Sequence, residues 1–173
     1  MAEKKELVEK ARRLGREYLL KYGGCAPGTL MAVAHTLNLE VGDELFKAMM
    51  GFSSFAGACG NLCGGIAAMG LRYGVGIEDF VKNPEIGFAS FAKLMTAAKV
   101  LKEKFIEEYG GYLCDDVQMK LFGKCVMPTS PEEFEAFSKM DPEELQVFYE
   151  KCSYVTENAA GWTVAVILEM DEK

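Results

Sequence analysis

Apolar residues recur along most of this chain at the spacing of one helix face, and no convincing strands appear. Leu7, Ala11, Leu14 and Tyr18, widened by Leu19, form a stripe opposite Glu, Lys and Arg, which predicts a helix over 2–21. Tyr22-Gly23-Gly24 ends it, as glycine past the last turn does. Cys25-Ala26-Pro27-Gly28 opens a second helix through 37, since a proline near a helix start forfeits an N–H that has no partner there. A third helix begins over 42–50. After Tyr73-Gly74 the sequence predicts a loop containing Pro84, then a long helix over 85–109. Phe88, Phe91, Leu94, Met95, Ala98, Leu101 and Phe105 form its stripe, expected to lie in the core. Gly110-Gly111 precedes a short helix over 113–122. Pro128, Pro131, Pro142 and an acidic run mark 124–144 as an insertion with its own short helix, capped by Ser130 ahead of Pro131. A final helix over 143–169 ends in the apolar run AAGWTVAVIL. The expected fold class is all-α, a compact multi-helix bundle in a single domain over 1–173.

The stretch 50–76 departs from this pattern. It holds eight of the eighteen glycines together with Cys59 and Cys63, and no charge falls between Lys47 and Arg72. On a helix, residues four apart share a face, so both thiols point one way. Gly60, Gly64 and Ala68 then make a strip bare enough for another backbone to approach. Each glycine costs a helix interior about 1 kcal/mol relative to alanine, so close approach is expected to outweigh local stability. Either helix packing or an inorganic cofactor accounts for that, and the second accounts for the thiols as well. The 24 charge-free residues 48–71 could span a bilayer by length. Ser53, Ser54, Asn61 and six glycines dilute them, and mean hydropathy over the chain is only +0.03. A buried helix broken near Gly57 is the expectation.

Charge narrows the partners. Net charge is −7 with pI near 4.9, and the basic residues are scattered, so a nucleic-acid surface of clustered Lys and Arg is excluded. The first fifteen residues lack the apolar core of a secretory signal, and a cytoplasmic location is expected. Six cysteines in 173 residues are too few for a disulfide scaffold, and in a reducing compartment several cysteines point to metal or redox chemistry. Cys25 is placed at a helix N-terminus, where free N–H groups and the dipole favour a thiolate. His35, the only histidine, is expected as a packed core residue. It leaves no histidine triad or c-type haem attachment site to consider, and no catalytic residue is assigned.

Cys25, Cys59, Cys114 and Cys152 lie on four different expected helices, and inward residues from several helices are the usual way a bundle builds a metal site. Gly24-Cys25-Ala26, Cys59-Gly60 with Gly64 and Met69-Gly70, Tyr109-Gly110 through Leu113-Cys114-Asp115, and Cys152 with Val155 and Ala159-Ala160 occur in order. This arrangement resembles the C-GCAxxG-C-C family of redox-active proteins. The resemblance implies a helical, dimeric redox protein of anaerobes, related to the iron–sulfur-associated domain of split-Soret cytochromes. Cys63 and Cys125 stand outside the family pattern.

Three chemistries stay open. An iron–sulfur cluster, [2Fe–2S] or [4Fe–4S], takes about four cysteine thiolates. Cys25, Cys59, Cys114 and Cys152 supply them with Cys63 in reserve, and Gly24, Gly60 and Gly64 stand beside the sulfurs. Such a protein transfers electrons or senses redox state, with a partner protein or a small electron carrier. A metal-free thiol–disulfide enzyme would use Cys25 as nucleophile and Cys59 or Cys63 to resolve. A structural zinc site of four cysteines is the third, although zinc favours tight Cys pairs.

Overall fold

The computed structural model describes residues 2–53, 57–128 and 130–172, and the helical periodicity of the sequence is realised in it. In chain order come α1 (Ala2–Tyr22), α2 (Cys25–Leu37), α3 (Asp43–Gly51), α4 (Gly60–Tyr73), α5 (Ile77–Lys82), α6 (Pro84–Tyr109), α7 (Cys114–Phe122), α8 (Pro131–Ser138) and α9 (Pro142–Met170). The fold is all-α. Among the described residues the one extended pairing is an isolated antiparallel bridge between Ala58 and Leu113. None of the described helices is long and apolar enough to cross a membrane.

The two longest contacts explain the architecture. α1 runs antiparallel along α9: Lys4 pairs with Glu172, Arg12 donates to Asn158 Oδ1 at 2.7 Å, and Arg16 stacks over the Tyr154 ring. Gly15 lets them close, since a Cβ there would lie 2.8 Å from the Thr156 carbonyl oxygen. α2 lies against α4, and the glycines of α4 serve two neighbours. A Cβ at Gly64 would collide with the Ala26 carbonyl oxygen on α2, and one at Gly65 would lie 2.7 Å from Leu101 on α6. One buried cluster joins these elements, with Leu30, Met69, Leu101, Phe105, Val155 and Ile167 fully enclosed. At the far end Arg72 and Tyr73 of α4 bind Asp171, fastening α4 to the end of α9.

Three expectations change, and one, the break near Gly57, holds. The loop after Gly74 contains α5, and Pro84 opens α6 as its first residue, where its missing N–H costs nothing. The charge-free stretch is divided between the end of α3 and α4, with Gly57 at φ +93°, and residues 54–56 of the expected buried helix lie outside the described residues. The α6 stripe is buried only in its second half: Leu101 and Phe105 are enclosed, while Phe88, Phe91 and Met95 are 79, 59 and 66% exposed. The first half of α6 has α5 beside it, with Phe80 over Gly87, and Tyr73 of α4 meets it at Ser90 and Lys93, while those rings stay largely in water. His35 is exposed on α2, hydrogen-bonded to Tyr18 rather than packed in the core. Within the insertion 124–144, the Ser130 Oγ accepts from the Glu133 N–H at 3.2 Å, the expected cap of α8.

Candidate thiol site

Three of the cysteines stand where helices begin. Cys25 is the first residue of α2, entered through Gly24 at φ +73°, a conformation that a side-chain-bearing residue resists. Cys59 is the N-cap of α4, and its carbonyl receives the Cys63 N–H at 3.1 Å. Cys114 is the first residue of α7. The isolated bridge brings the last two together: the Cys59 N–H donates to the Tyr112 carbonyl and the Cys114 N–H to the Gly57 carbonyl, both at 2.9 Å. Cys152 comes from the middle of α9, on the turn before Val155 and Thr156.

Cys25, Cys59, Cys114 and Cys152 line one cavity of about 330 Å³, with Gly24 and Gly60 in its wall. Most of the remaining wall is apolar, with Leu19, Val117, Leu121, Phe148 and Val155, while Ser53, Asn61 and Gln118 supply polar side chains. Gly60 is required by contact, because a Cβ there would collide with the Cys25 sulfur and sit 2.9 Å from the Phe52 carbonyl oxygen. Gly64 lies one turn further along α4, away from the cavity lining, and sets the α2–α4 distance instead. Cys63 is half-buried on α4 outside the lining, and Cys125 is exposed with its thiol donating to Asp115 Oδ1 at 3.2 Å.

Polar side chains that composition did not flag reach the same sulfurs. Gln118 Nε2 lies 3.2 Å from Cys114 Sγ, while its Oε1 accepts from the N–H groups of Val126 and Met127. Asn61 Nδ2 lies 3.8 Å from Cys59 Sγ, and its Oδ1 accepts from the Thr29 hydroxyl at 2.9 Å. The Cys25 thiol donates to Ser53 Oγ, which also accepts the Ala26 N–H. Asn61 and Gln118 are both 3% exposed, so each amide is fixed by its other partners and aimed at sulfur. Spacing offers the signal in retrospect: Gln118 is four residues past Cys114, on the same face.

Burial governs the protonation of all four thiols. It pushes Cys152 up to about 12, with the neighbouring Cys25 and Cys114 adding to it. It pushes Cys114 up to about 11, against the pull of the Gln118 amide. Cys59 is raised by burial and then by Cys25. The expected activation of Cys25 is a correction: burial raises it, although Ser53 and the N–H groups of Ala26 and Gly60 pull the other way. The helix N-terminus is present, and desolvation outweighs it. These thiols are poised to be neutral unless a cation joins them. Among the described residues, no three His, Cys, Asp or Glu side chains are grouped so as to hold one metal ion.

No curated protein and no solved structure matches the chain. A family model does match, over residues 24–166, and that span takes in all four cavity cysteines. With that match and this cavity, the chain belongs to the family described as "Putative redox-active protein (C_GCAxxG_C_C)".

Proposed function

We propose that this protein holds an iron–sulfur cluster, [2Fe–2S] or [4Fe–4S], through Cys25, Cys59, Cys114 and Cys152, and uses it for electron transfer or redox sensing. The observation that carries the reading is that four thiols from four helices line one cavity. The donor set fits, because it is all sulfur, and soft thiolates suit such clusters. A zinc ion asks for sulfurs about 2.3 Å from a single point. These four come from separate helices around one cavity, without the tight Cys pairs that zinc sites favour, which supports a multi-iron centre over a zinc site. A bound cluster would supply one-electron chemistry. The chain's own contribution is to exclude water with the Leu19, Leu121 and Phe148 wall and to direct the Asn61 and Gln118 amides at the ligand sulfurs. Donors of that kind raise a cluster's potential. Against a thiol–disulfide enzyme stands the raised Cys25 thiol, which lacks the thiolate character of an attacking nucleophile.

The partners in this reading are a redox protein or small electron carrier, and a second copy of the chain. The exposed Phe80, Phe88 and Phe91 put on the order of 400 Å² of apolar surface in water. That is about half of what one side of a standard interface buries, and Ile77, Val81, Ile86 and Met95 extend the patch. A homodimer across α5 and α6 covers it. A reducing cytoplasm, as in an anaerobe, suits six free cysteines.

Protein purified without oxygen should be brown and contain iron and acid-labile sulfide in comparable amounts. Cys59→Ser should remove most of both, and Cys125→Ser should leave them unchanged. A colourless protein holding only zinc, or equal loss in the two variants, overturns the assignment.

A further inference from the structure

A second pocket, of about 460 Å³, opens beside the thiol cavity. Met50 lines both. The turn joining α1 to α2 divides them, with Gly23 and Pro27 facing the second pocket while Gly24 and Cys25 face the first. Tyr18, Tyr22, Met31 and Phe46 complete a wall rich in aromatic and thioether groups, and among the described residues no Lys, Arg, Asp or Glu takes part in it. One polar feature interrupts the wall: the Tyr18 hydroxyl lies 2.6 Å from His35 Nδ1, with the two rings edge to face. Burial and the nearby Glu17 hold the Tyr18 phenol protonated beyond its usual range. The two groups share one hydrogen bond whose donor follows the imidazole tautomer, and in either neutral tautomer the pair keeps one further hydrogen to donate.

We propose that this pocket binds a neutral quinone of one or two fused rings, with the Tyr18–His35 pair as its hydrogen-bonding end. The size suits a small ligand, and an apolar cavity with a few convergent polar groups is how such sites are built. Flat aromatic and methionine side chains match a planar ring system. Phosphate-bearing carriers such as nicotinamide or flavin nucleotides would find cations only at the rim, Lys10 on the His35 carbonyl and Lys21 over the Tyr22 ring, and none in the wall that would desolvate them. The choice of a redox-active ring over any other planar molecule rests on the redox reading of the adjoining thiol cavity. The pocket itself does not depend on that reading.

Binding of 2,3-dimethyl-1,4-naphthoquinone to anaerobically purified full-length protein tests the proposal by equilibrium dialysis. Methyl groups on both ring carbons block addition of the exposed Cys125. One saturable site per chain is expected. Phe46→Ala and Tyr22→Ala should each weaken it tenfold or more, and Tyr18→Phe by about fivefold. Phe88→Ala, on the far arm, should leave it unchanged. Tyr22 is 69% exposed, so its variant folds even where Phe46→Ala does not. Absence of saturable binding, or Tyr22→Ala binding as tightly as the parent, overturns the site. Cys59→Ser protein separates the two readings. Retained binding there supports the pocket whatever metal the parent holds, and lost binding overturns it as an independent site. Lack of binding in a parent that still carries iron and sulfide sinks the quinone pocket and leaves the cluster standing.

Discussion

α4 and the arm made by α5 with the first half of α6 both carry apolar residues at helical spacing, yet they meet opposite fates. Gly60, Gly64, Gly65 and Ala68 of α4 each face a near neighbour, and Leu62 and Met69 are enclosed. On the arm, Ile77, Phe80, Val81, Phe88 and Phe91 are all more than half exposed. Size is the difference. Small residues record that a neighbouring backbone is close, so they name an occupant within the chain. Large apolar residues at helical spacing record only that some surface is to be covered. On the arm that cover is not supplied by the described helices, which is why the arm is offered above as the contact with a second copy.

The sharpest test of this contrast is made along α6 itself. Phe105→Ala removes a ring packed against Tyr109 and Trp162 and should cost about 3–5 kcal/mol of unfolding free energy in urea titrations. A loss below about 1 kcal/mol would mean that the two halves of α6 do not differ as described. Next comes Gly64→Ala, where the added methyl meets the Ala26 carbonyl, a backbone atom that cannot rotate aside. Overpacking of this kind costs about 3 kcal/mol at its upper end. Because Ala26 follows Cys25, the displaced α2 should, on the proposed cluster reading, also release much of the iron, while Gly70→Ala, with open space at its Cβ, should release none.

The helices other than α5, and their order, were legible from the sequence because each rests on local chemistry: periodic apolar faces, glycine stops, proline at first turns. What was not legible is set by contacts between distant segments. The bridge that joins Cys59 to Cys114 depends on two short stretches 55 residues apart pairing through Gly57 and Tyr112, and nothing local announces it. The same is true of Gln118, whose meaning comes from Val126 and Met127 holding its oxygen so that its nitrogen meets sulfur. The Phe88–Phe91 stripe read as core because periodicity reports a face and not its cover. Cys25 illustrates a third kind of miss: its position at a helix start was read from sequence, but the burial that reverses the effect on its thiol was not.

A smaller effect is expected at the buried end of α6. The Tyr109 hydroxyl accepts from Asn158 Nδ2 at 3.0 Å, and burial pushes it up to about 12, with the Asn158 bond pulling the other way. The folded protein therefore keeps this proton where the unfolded chain, titrating near 10, has released it. The stabilisation is complete below pH about 10 and drains away as pH rises towards 12. Tyr109→Phe should cost about 1 kcal/mol at pH 7 by stranding the Asn158 amide. It should also flatten the fall in stability above pH 10, read from urea midpoints at several pH values. A variant as steep as the parent would place the alkaline loss in other groups.

The smallest effect on the fold belongs to the exposed end. Phe88→Ser and Phe91→Ser remove rings that touch mainly water, so chemical unfolding of dilute protein should change by no more than about 0.5 kcal/mol. Their consequence lies in association. If a second copy covers the arm, the double variant should sediment as a monomer at concentrations where the parent is a dimer, with iron content unchanged. The monomer unfolds as easily as before because the lost contact was never internal. A drop in dilute-protein stability above about 1 kcal/mol would mean that those rings are buried within one chain after all. The contrast between α4 and the arm would then be one of degree, since both would be covered from inside.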